Sequence, residues 1–177
     1  MSLLYEGFPE TVEINGSEYR VITDYREWIR WGDMCVSDID EQLKTMFTYE
    51  MILDACEEPF KDVFNALMAF LVMGKVEESK PGKQTISYDQ DAAYIMADFQ
   101  REYGIDIVHV KYLHWWQFQM LFEGLSEKSE MKQRIYYRSV NLESIKDKEE
   151  RKRIRKIQRA VALKKEVSDG DIGNAFA

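Results

Sequence analysis

The segment from Tyr112 to Leu125 brings two adjacent tryptophans, two phenylalanines and several aliphatic residues into a short span. On a helix, which turns about 100° per residue, these side chains cover most of the circumference. Only four polar residues interrupt them: His114, Gln117, Gln119 and Glu123. A helix that is apolar nearly all round is normally buried. The segment therefore predicts a central helix over residues 112–125, covered on several sides by other helices or by a partner chain.

One stripe of this helix combines aromatic side chains at helical spacing. Trp115, Phe118 and Phe122, followed by Leu125, lie at positions i, i+3, i+7 and i+10. Such a stripe most often packs in the core of a protein, and less often it forms an interface with a partner. We therefore take Trp115, Phe118 and Phe122 as candidate partner-binding residues, with the core as the alternative for each of them.

Composition limits the fold to a mainly helical class. The chain has 177 residues, is 45% hydrophobic, and contains nine glycines and three prolines, too few for an all-β chain with many tight turns. The charged residues include many Glu, Lys and Arg, which favour helices with solvated outer faces. We predict a mainly α, single-domain bundle of about six to eight helices over residues 1–163. Residues 164–177 are predicted to form a flexible tail.

The N-terminal region contains a strong hairpin signal. Asn15-Gly16 lies between alternating apolar and polar residues, as expected for a two-residue type I′ turn. The sequence therefore predicts a small β-hairpin over residues 9–22. A two-stranded hairpin is marginal in water, so it must pack on the helices that follow.

Capping residues predict the helices that follow the hairpin. Thr23 or Asp24 starts a helix that ends near Cys35, and residues 38–46 form either a helix or a turn. Thr48 is expected to cap a short helix over residues 49–57. Pro59 then starts a core helix that Gly74 ends.

The second half of the chain begins with a predicted loop over residues 77–86, where Pro, Gly and charges occur together. Ser87 starts the next helix, in which Asp89 and Asp91 are expected to be charges favoured by the helix dipole. That helix ends at Gly104, and Ser126 or Ser129 caps another one. Asp147 caps a final, strongly basic helix that ends near Leu163.

The titratable residues predict no catalytic or metal site. The two histidines, His109 and His114, are five positions apart, which does not place both on one helical face for zinc. Cys35 and Cys56 lie in apolar helical contexts and are expected to be buried hydrophobes. No motif supports a Cys56–His114 nucleophile pair, and phosphate-binding loops and calcium loops are absent. We expect no enzyme activity and no cofactor.

Charge is distributed unevenly along the chain. Residues 146–177 contain ten Lys/Arg and six Asp/Glu, a net charge of +4, which leaves −12 for residues 1–145 of the total −8. Arg151, Arg155 and Arg159 on the basic helix are therefore candidate partner-binding residues. We expect an acidic protein partner rather than nucleic acid, because the acidic body would repel a polyanion and no stacking aromatics interrupt the basic run.

Neither end of the chain nor its interior predicts membrane insertion. The N-terminus lacks the basic region and the sustained apolar run of a signal peptide, and no stretch approaches the ~20 apolar residues of a membrane span. We expect a cytoplasmic protein.

Several runs between residues 85 and 160 resemble the pattern of a known family. They are Tyr103-Gly104-Ile105-Asp106, Lys111-Tyr112-Leu113-His114-Trp115-Trp116-x-Phe118, Leu121-Phe122-x-Gly124-Leu125-Ser126, Tyr137-Arg138-Ser139 and Ile145-Lys146-Asp147-Lys148-Glu149. The family is a bacteriophage protein family named after gene product fifteen and found in tailed phages and prophages of Gram-positive bacteria. Residues 1–75 resemble it only in general character.

The resemblance implies a role in tail assembly in the cytoplasm of a bacterial host. The resemblance implies a gene that lies between the genes for the major tail protein and the tape-measure protein. Genes at this position usually encode tail assembly chaperones. The implied function is a non-enzymatic chaperone or assembly factor for helical segments of the tape measure or another tail protein. A structural tail or connector component is the alternative, followed by a nucleic-acid-binding regulator. Self-association is also possible.

Overall fold

A computed structural model describes residues 3–75 and 84–164. Its elements in chain order are α1 (Leu3–Glu6), β1 (Thr11–Ile14), β2 (Ser17–Arg20), α2 (Tyr25–Val36), α3 (Glu41–Glu50), α4 (Phe60–Leu71), α5 (Ala92–Tyr103), α6 (Trp115–Glu123), α7 (Glu130–Ser139), a 3-10 turn (Leu142–Ser144) and α8 (Lys148–Val161). The mainly α class with a small N-terminal hairpin is confirmed. Residues 77–83 of the predicted 77–86 loop and residues 165–177 of the predicted 164–177 tail lie outside the described residues.

The hairpin forms at the predicted turn. Asn15 and Gly16 both have positive φ, 51° and 84°, as a type I′ turn requires. The strands β1 and β2 are antiparallel, with Val12 opposite Tyr19. Val12 and Ile14 are buried, and β1 packs against α4. The hairpin is therefore stabilised by the helix beneath it, as a two-stranded sheet must be.

The boundaries around α3 differ from the prediction. Asp40 caps α3, so residues 38–46 contribute to a helix, but Thr48 lies inside that helix and does not start a new one. Thr48 is buried, and its hydroxyl donates to the Lys44 carbonyl and accepts from the Trp31 indole. The predicted 49–57 helix was wrong. The chain is extended at Ile52, which bridges to Val21.

The start of α5 is also later than predicted. Residues 88–91 form a turn, and the helix begins at Ala92, with Asp91 making no capping bond. The helix ends at Gly104, whose φ of 67° is left-handed, as expected for a C-terminal glycine. Ser129 caps α7 and Asp147 caps α8, as predicted. Of the alternative caps, Asp24 rather than Thr23 caps α2, and Ser129 rather than Ser126 caps α7.

One aromatic core joins the two halves of the chain. Phe118 on α6 stacks on Tyr25 of α2 at 4.8 Å and on Phe99 of α5 at 5.3 Å between ring centroids. Trp28 of α2 stacks on Phe70 of α4 at 4.7 Å. Helix α6 therefore lies between the hairpin, α2 and α4 on one side and α5 on the other. Among residues 3–75 and 84–164, no helix has both the length and the apolar composition that a membrane span requires.

Candidate partner-binding surface

His114 ends an extended segment and caps α6. Its Nδ1 accepts the Trp116 N–H at 3.0 Å, and its Nε2 lies 2.9 Å from the Pro9 carbonyl, so the neutral ring must carry its proton on Nε2. The ring is buried and stacks on Phe8 at 4.9 Å. Burial lowers the pKa of His114, and this effect outweighs the Pro9 carbonyl and Glu10, which both raise it. The predicted central helix thus starts at Trp115 rather than at Tyr112.

The two adjacent tryptophans donate hydrogen bonds to backbone carbonyls at the C-terminal end of α4. The Trp116 indole N–H donates to the Phe70 carbonyl and the Trp115 indole N–H donates to the Leu71 carbonyl, both at 2.9 Å. These carbonyls lie in the last turn of α4, where a helix leaves its carbonyls without their regular intrahelical partners, and the Phe70 carbonyl also accepts the Met73 N–H at 3.0 Å. The Leu-His-Trp-Trp run therefore has a structural role, which is to cap α6 and the C-terminus of α4 at once.

The structure places the predicted aromatic candidates in the core. Trp115 and Phe118 are each 1% exposed and Phe122 is 6% exposed. A partner cannot reach them in this conformation, because α2, α4 and α5 already cover the stripe. We therefore correct their assignment from candidate interface to core. The part of α6 that reaches solvent carries Gln117, Met120 and Glu123 instead.

Of the three basic candidates, one is half-buried and two are exposed. Arg151 is half-buried, and its guanidinium donates to the Ile145 carbonyl, which fixes the start of α8. Arg155 and Arg159 are exposed, one helical turn apart, beside Lys152 and Lys156. The outer face of α8 is therefore a positive stripe, while Ile154 on its inner face is buried.

An apolar groove with a volume of about 330 Å³ lies between α2 and α3, and we call it the α2–α3 groove. Its apolar lining is Ile22, Trp31, Met34, Phe47 and Met51, and Glu27, Arg30 and Glu50 complete the lining. Leu43, Met46 and Phe47 extend the apolar surface along α3 at i, i+3 and i+4, and each is more than 40% exposed. Helix α3 thus turns an apolar stripe toward solvent, where an amphipathic helix normally carries polar residues.

A second depression, of about 310 Å³, lies between α2 and α5. Its lining includes Ile29, Ala92 and Val108, with Asp33 and Asp89 among its polar residues. Met96 is its exposed residue on α5, 41% accessible. The depression lacks the continuous apolar stripe that extends the α2–α3 groove, so we regard it as the weaker candidate.

Two buried carboxylates were missed by the sequence analysis. Asp91, expected as a charge at the start of a helix, is 1% exposed and forms a bidentate ion pair with Arg138 at 2.6 and 2.8 Å. Burial raises the pKa of Asp91. Hydrogen bonds from Arg138 and the Ser87 N–H, together with the charge of Arg138, lower this pKa by a larger amount, so the net shift is downward. Asp98 is fully buried and accepts the Met131 N–H at 2.8 Å.

Both carboxylates take part in contacts that join separate segments of the chain. Arg138 also donates to the Thr85 and Val161 carbonyls, so it ties the segment before α5 to the end of α8. In the parts of the chain that the structure describes, no group of three or more His, Cys, Asp or Glu side chains could hold a metal ion.

Comparison with known families identifies the chain. The family model described as "Bacteriophage Gp15 protein" matches residues 4–163, which is most of the chain. The protein belongs to this family. The match confirms the resemblance carried by the Leu-His-Trp-Trp run and extends it to the hairpin and α2–α4. Membership in the Gp15 family indicates a phage structural or assembly protein. No curated protein and no solved structure gives a significant match.

Proposed function

We propose that this Gp15-family protein is a non-enzymatic tail assembly chaperone, acting in the host cytoplasm on helical segments of the tape-measure protein. The observation that carries the proposal is the exposed apolar stripe of α3 beside an apolar groove. Grooves of this kind bind the apolar face of an amphipathic helix. An assembly factor needs such a surface to shield the helices of a long partner before the tail tube encloses them.

Co-expression tests this proposal. The cognate tape-measure protein is produced in bacteria alone and together with the Gp15-family protein, and the soluble fraction of each is measured. We expect the soluble fraction of the tape measure to rise and the two proteins to co-purify. Unchanged solubility without co-purification would contradict the chaperone function. A variant with the stripe residue Met46 changed to Glu provides a control that keeps the rest of the chain intact.

A structural role in the virion is the second candidate, supported by the same family membership. Quantitative mass spectrometry of purified virions separates the two functions. A chaperone is expected to be absent from the finished particle, whereas a tail or connector component is expected in a fixed ratio to the major tail protein.

Nucleic-acid binding is the third candidate, and the positive stripe of Arg155, Arg159 and their lysine neighbours is the observation that favours it. Affinity carried by phosphate contacts falls steeply as salt rises. A DNA titration at low and at moderate salt, with Arg155→Glu as the control variant, measures this contribution. We expect only weak binding, because the rest of the chain is strongly acidic.

A further inference from the structure

The α2–α3 groove has walls that can adapt to a partner. Met34 lies half-buried in its lining, and the exposed Met46 lies on the stripe beside it. Methionine is unbranched and its side chain is flexible, so surfaces rich in it bind helices of varied sequence. Trp31 gives the groove a rigid floor, since its indole is 3% exposed and donates to the buried Thr48 hydroxyl at 3.3 Å.

The rim of this groove is acidic. Residues 37–50, which include α3 and its capping turn, contain four carboxylates and one lysine, a net charge of −3. On α2, Glu27 and Arg30 pair at 2.5 Å, so Arg30 does not offset the carboxylates of α3. Asp40 and Glu41 lie at the N-terminal end of α3, and Glu50 lies at its C-terminal end, within the groove lining. A partner helix that lies along α3 therefore meets negative charge at both ends.

We infer that the α2–α3 groove binds a basic amphipathic helix of a partner protein. The occupant would insert apolar side chains at i, i+3 or i+4 and i+7 into the groove and direct Lys or Arg toward the carboxylates of α3. This inference adds the chemistry of the partner to the proposed function. It rests on the proposed function only in taking the partner to be a phage protein. It commits to a helix of opposite charge to the rim, since opposite charges steer association and reject acidic competitors.

A second copy of this chain is a poorer occupant. Its own basic helix, α8, already uses its apolar side, because Ile154 is buried and α8 packs against α7. What α8 presents to solvent is the positive stripe, which has no apolar anchors to fill a groove. Charge alone would hold such a dimer, and exposed ion pairs contribute little to stability.

Labelled peptides test the inference without the natural partner. The probe is a synthetic amphipathic helical peptide of about five turns, with Leu at the i, i+3 and i+7 positions and Lys or Arg elsewhere. A matched peptide keeps the Leu positions and replaces every basic residue by Glu. Binding of both peptides to the full chain is followed by fluorescence anisotropy. We expect the basic peptide to bind at least about tenfold more tightly than the acidic one.

Two methionine variants locate the binding site. Met46 on α3 and Met96 on α5 are 47% and 41% exposed, so Met46→Glu and Met96→Glu are matched in residue type, substitution and burial. Thermal melts of both variants check that the fold is kept. We expect Met46→Glu to weaken binding of the basic peptide by about tenfold or more, because it places a charge on the apolar stripe that the peptide's leucines would cover. Met96→Glu should leave that binding within about twofold.

Several results would overturn the inference. Equal binding of the two peptides would remove the charge argument, and loss of binding in Met96→Glu rather than Met46→Glu would move the site to the α2–α5 depression. A concentration-dependent dimer that Met46→Glu abolishes would show that a second copy fills the groove. Failure of the co-expression experiment with intact peptide binding would contradict the chaperone function and leave the groove assignment standing.

Discussion

The aromatic cluster around α6 and the polar cluster around Arg138 are both buried, but they hold different parts of the chain by different means. Around α6, stacked rings of Tyr25, Phe99 and Phe118 join helices from both halves. Around Arg138, hydrogen bonds and one ion pair tie the segment before α5 to α8. Removing one ring from the aromatic cluster takes away apolar contacts and leaves a cavity that its neighbours fill only in part. The polar cluster leaves a charge without its partner as soon as one member is removed.

The largest expected effect comes from emptying the aromatic cluster. Phe118→Ala removes a ring that is 1% exposed and contacts aromatic residues of α2, α5 and α6, so it should cost about 3–5 kcal/mol of unfolding free energy. Urea unfolding measures this loss. Met120→Ala on the same helix is the control, because Met120 is 37% exposed and should cost less than about 1 kcal/mol. Similar losses in both variants would contradict the assignment of the buried face.

Breaking the polar cluster should come next. Arg138→Met leaves Asp91 buried without its bidentate partner, and the expected loss is about 3 kcal/mol, the low end for a broken buried pair, because Asp91 can take up a proton. The double variant Asp91→Asn with Arg138→Met should recover part of this loss, since it removes the unpaired charge. Additive losses in the double variant would show that the two side chains are not coupled.

The N-terminus of α7 should show a smaller effect. Asp98→Ala removes the acceptor of the Met131 N–H and leaves a buried donor unpaired, at a cost of about 2 kcal/mol. Ser129→Ala removes only the side-chain cap of the same helix, which receives the Lys132 N–H, and should cost about 1 kcal/mol. The comparison of the two variants by thermal unfolding measures how much of this helix start depends on α5. Equal losses would contradict a special role for Asp98.

The smallest expected effect is a pH dependence at His114. Burial lowers the folded pKa below the ordinary value of 6.5, so the unfolded chain takes up a proton first as pH falls. Stability from this group is complete above pH 6.5 and is lost as pH falls from 6.5 through the folded pKa. Protonation also removes the Nδ1 lone pair that accepts the Trp116 N–H.

Unfolding experiments at pH 7.5 and 5.5 check this dependence. We expect His114→Asn, which keeps a capping side chain, to lose less stability over this range than the unmodified protein. His109→Asn is the matched control, because His109 is exposed and forms a surface pair with Asp106. A greater change in the pH dependence for His109→Asn than for His114→Asn would contradict the account.

The two clusters also differ in how far the sequence predicts them. Spacing predicts the aromatic cluster, because Trp115, Phe118 and Phe122 recur with the helical period. The same spacing cannot tell whether another helix or a partner covers the stripe, so these residues were assigned to both. The ion pair of Asp91 and Arg138 joins residues far apart in sequence. No local pattern marks such a pair, and a carboxylate before a helix normally indicates a surface charge.

The α3 region shows a second limit of sequence patterns. Thr48 has the residue type of a helix cap, but in the folded chain its hydroxyl lies between the Lys44 carbonyl and the Trp31 indole. Tertiary contacts therefore outweigh the local capping preference. One helix, Glu41–Glu50, stands in place of the helix or turn expected over residues 38–46 and the helix predicted over residues 49–57. The exposed stripe of α3 was missed for the same reason, since the boundaries of that helix determine which residues share a face.

The aromatic face of α6 forms the core, and we propose that the α2–α3 groove binds the partner. Hydrogen–deuterium exchange on the free protein and on its complex with the tape-measure protein distinguishes these two roles. We predict that binding slows exchange in residues 41–50 and in the second half of α2, with little change in α6, which is already protected when free. New protection confined to α5 or α8, with none in α3, would contradict the account.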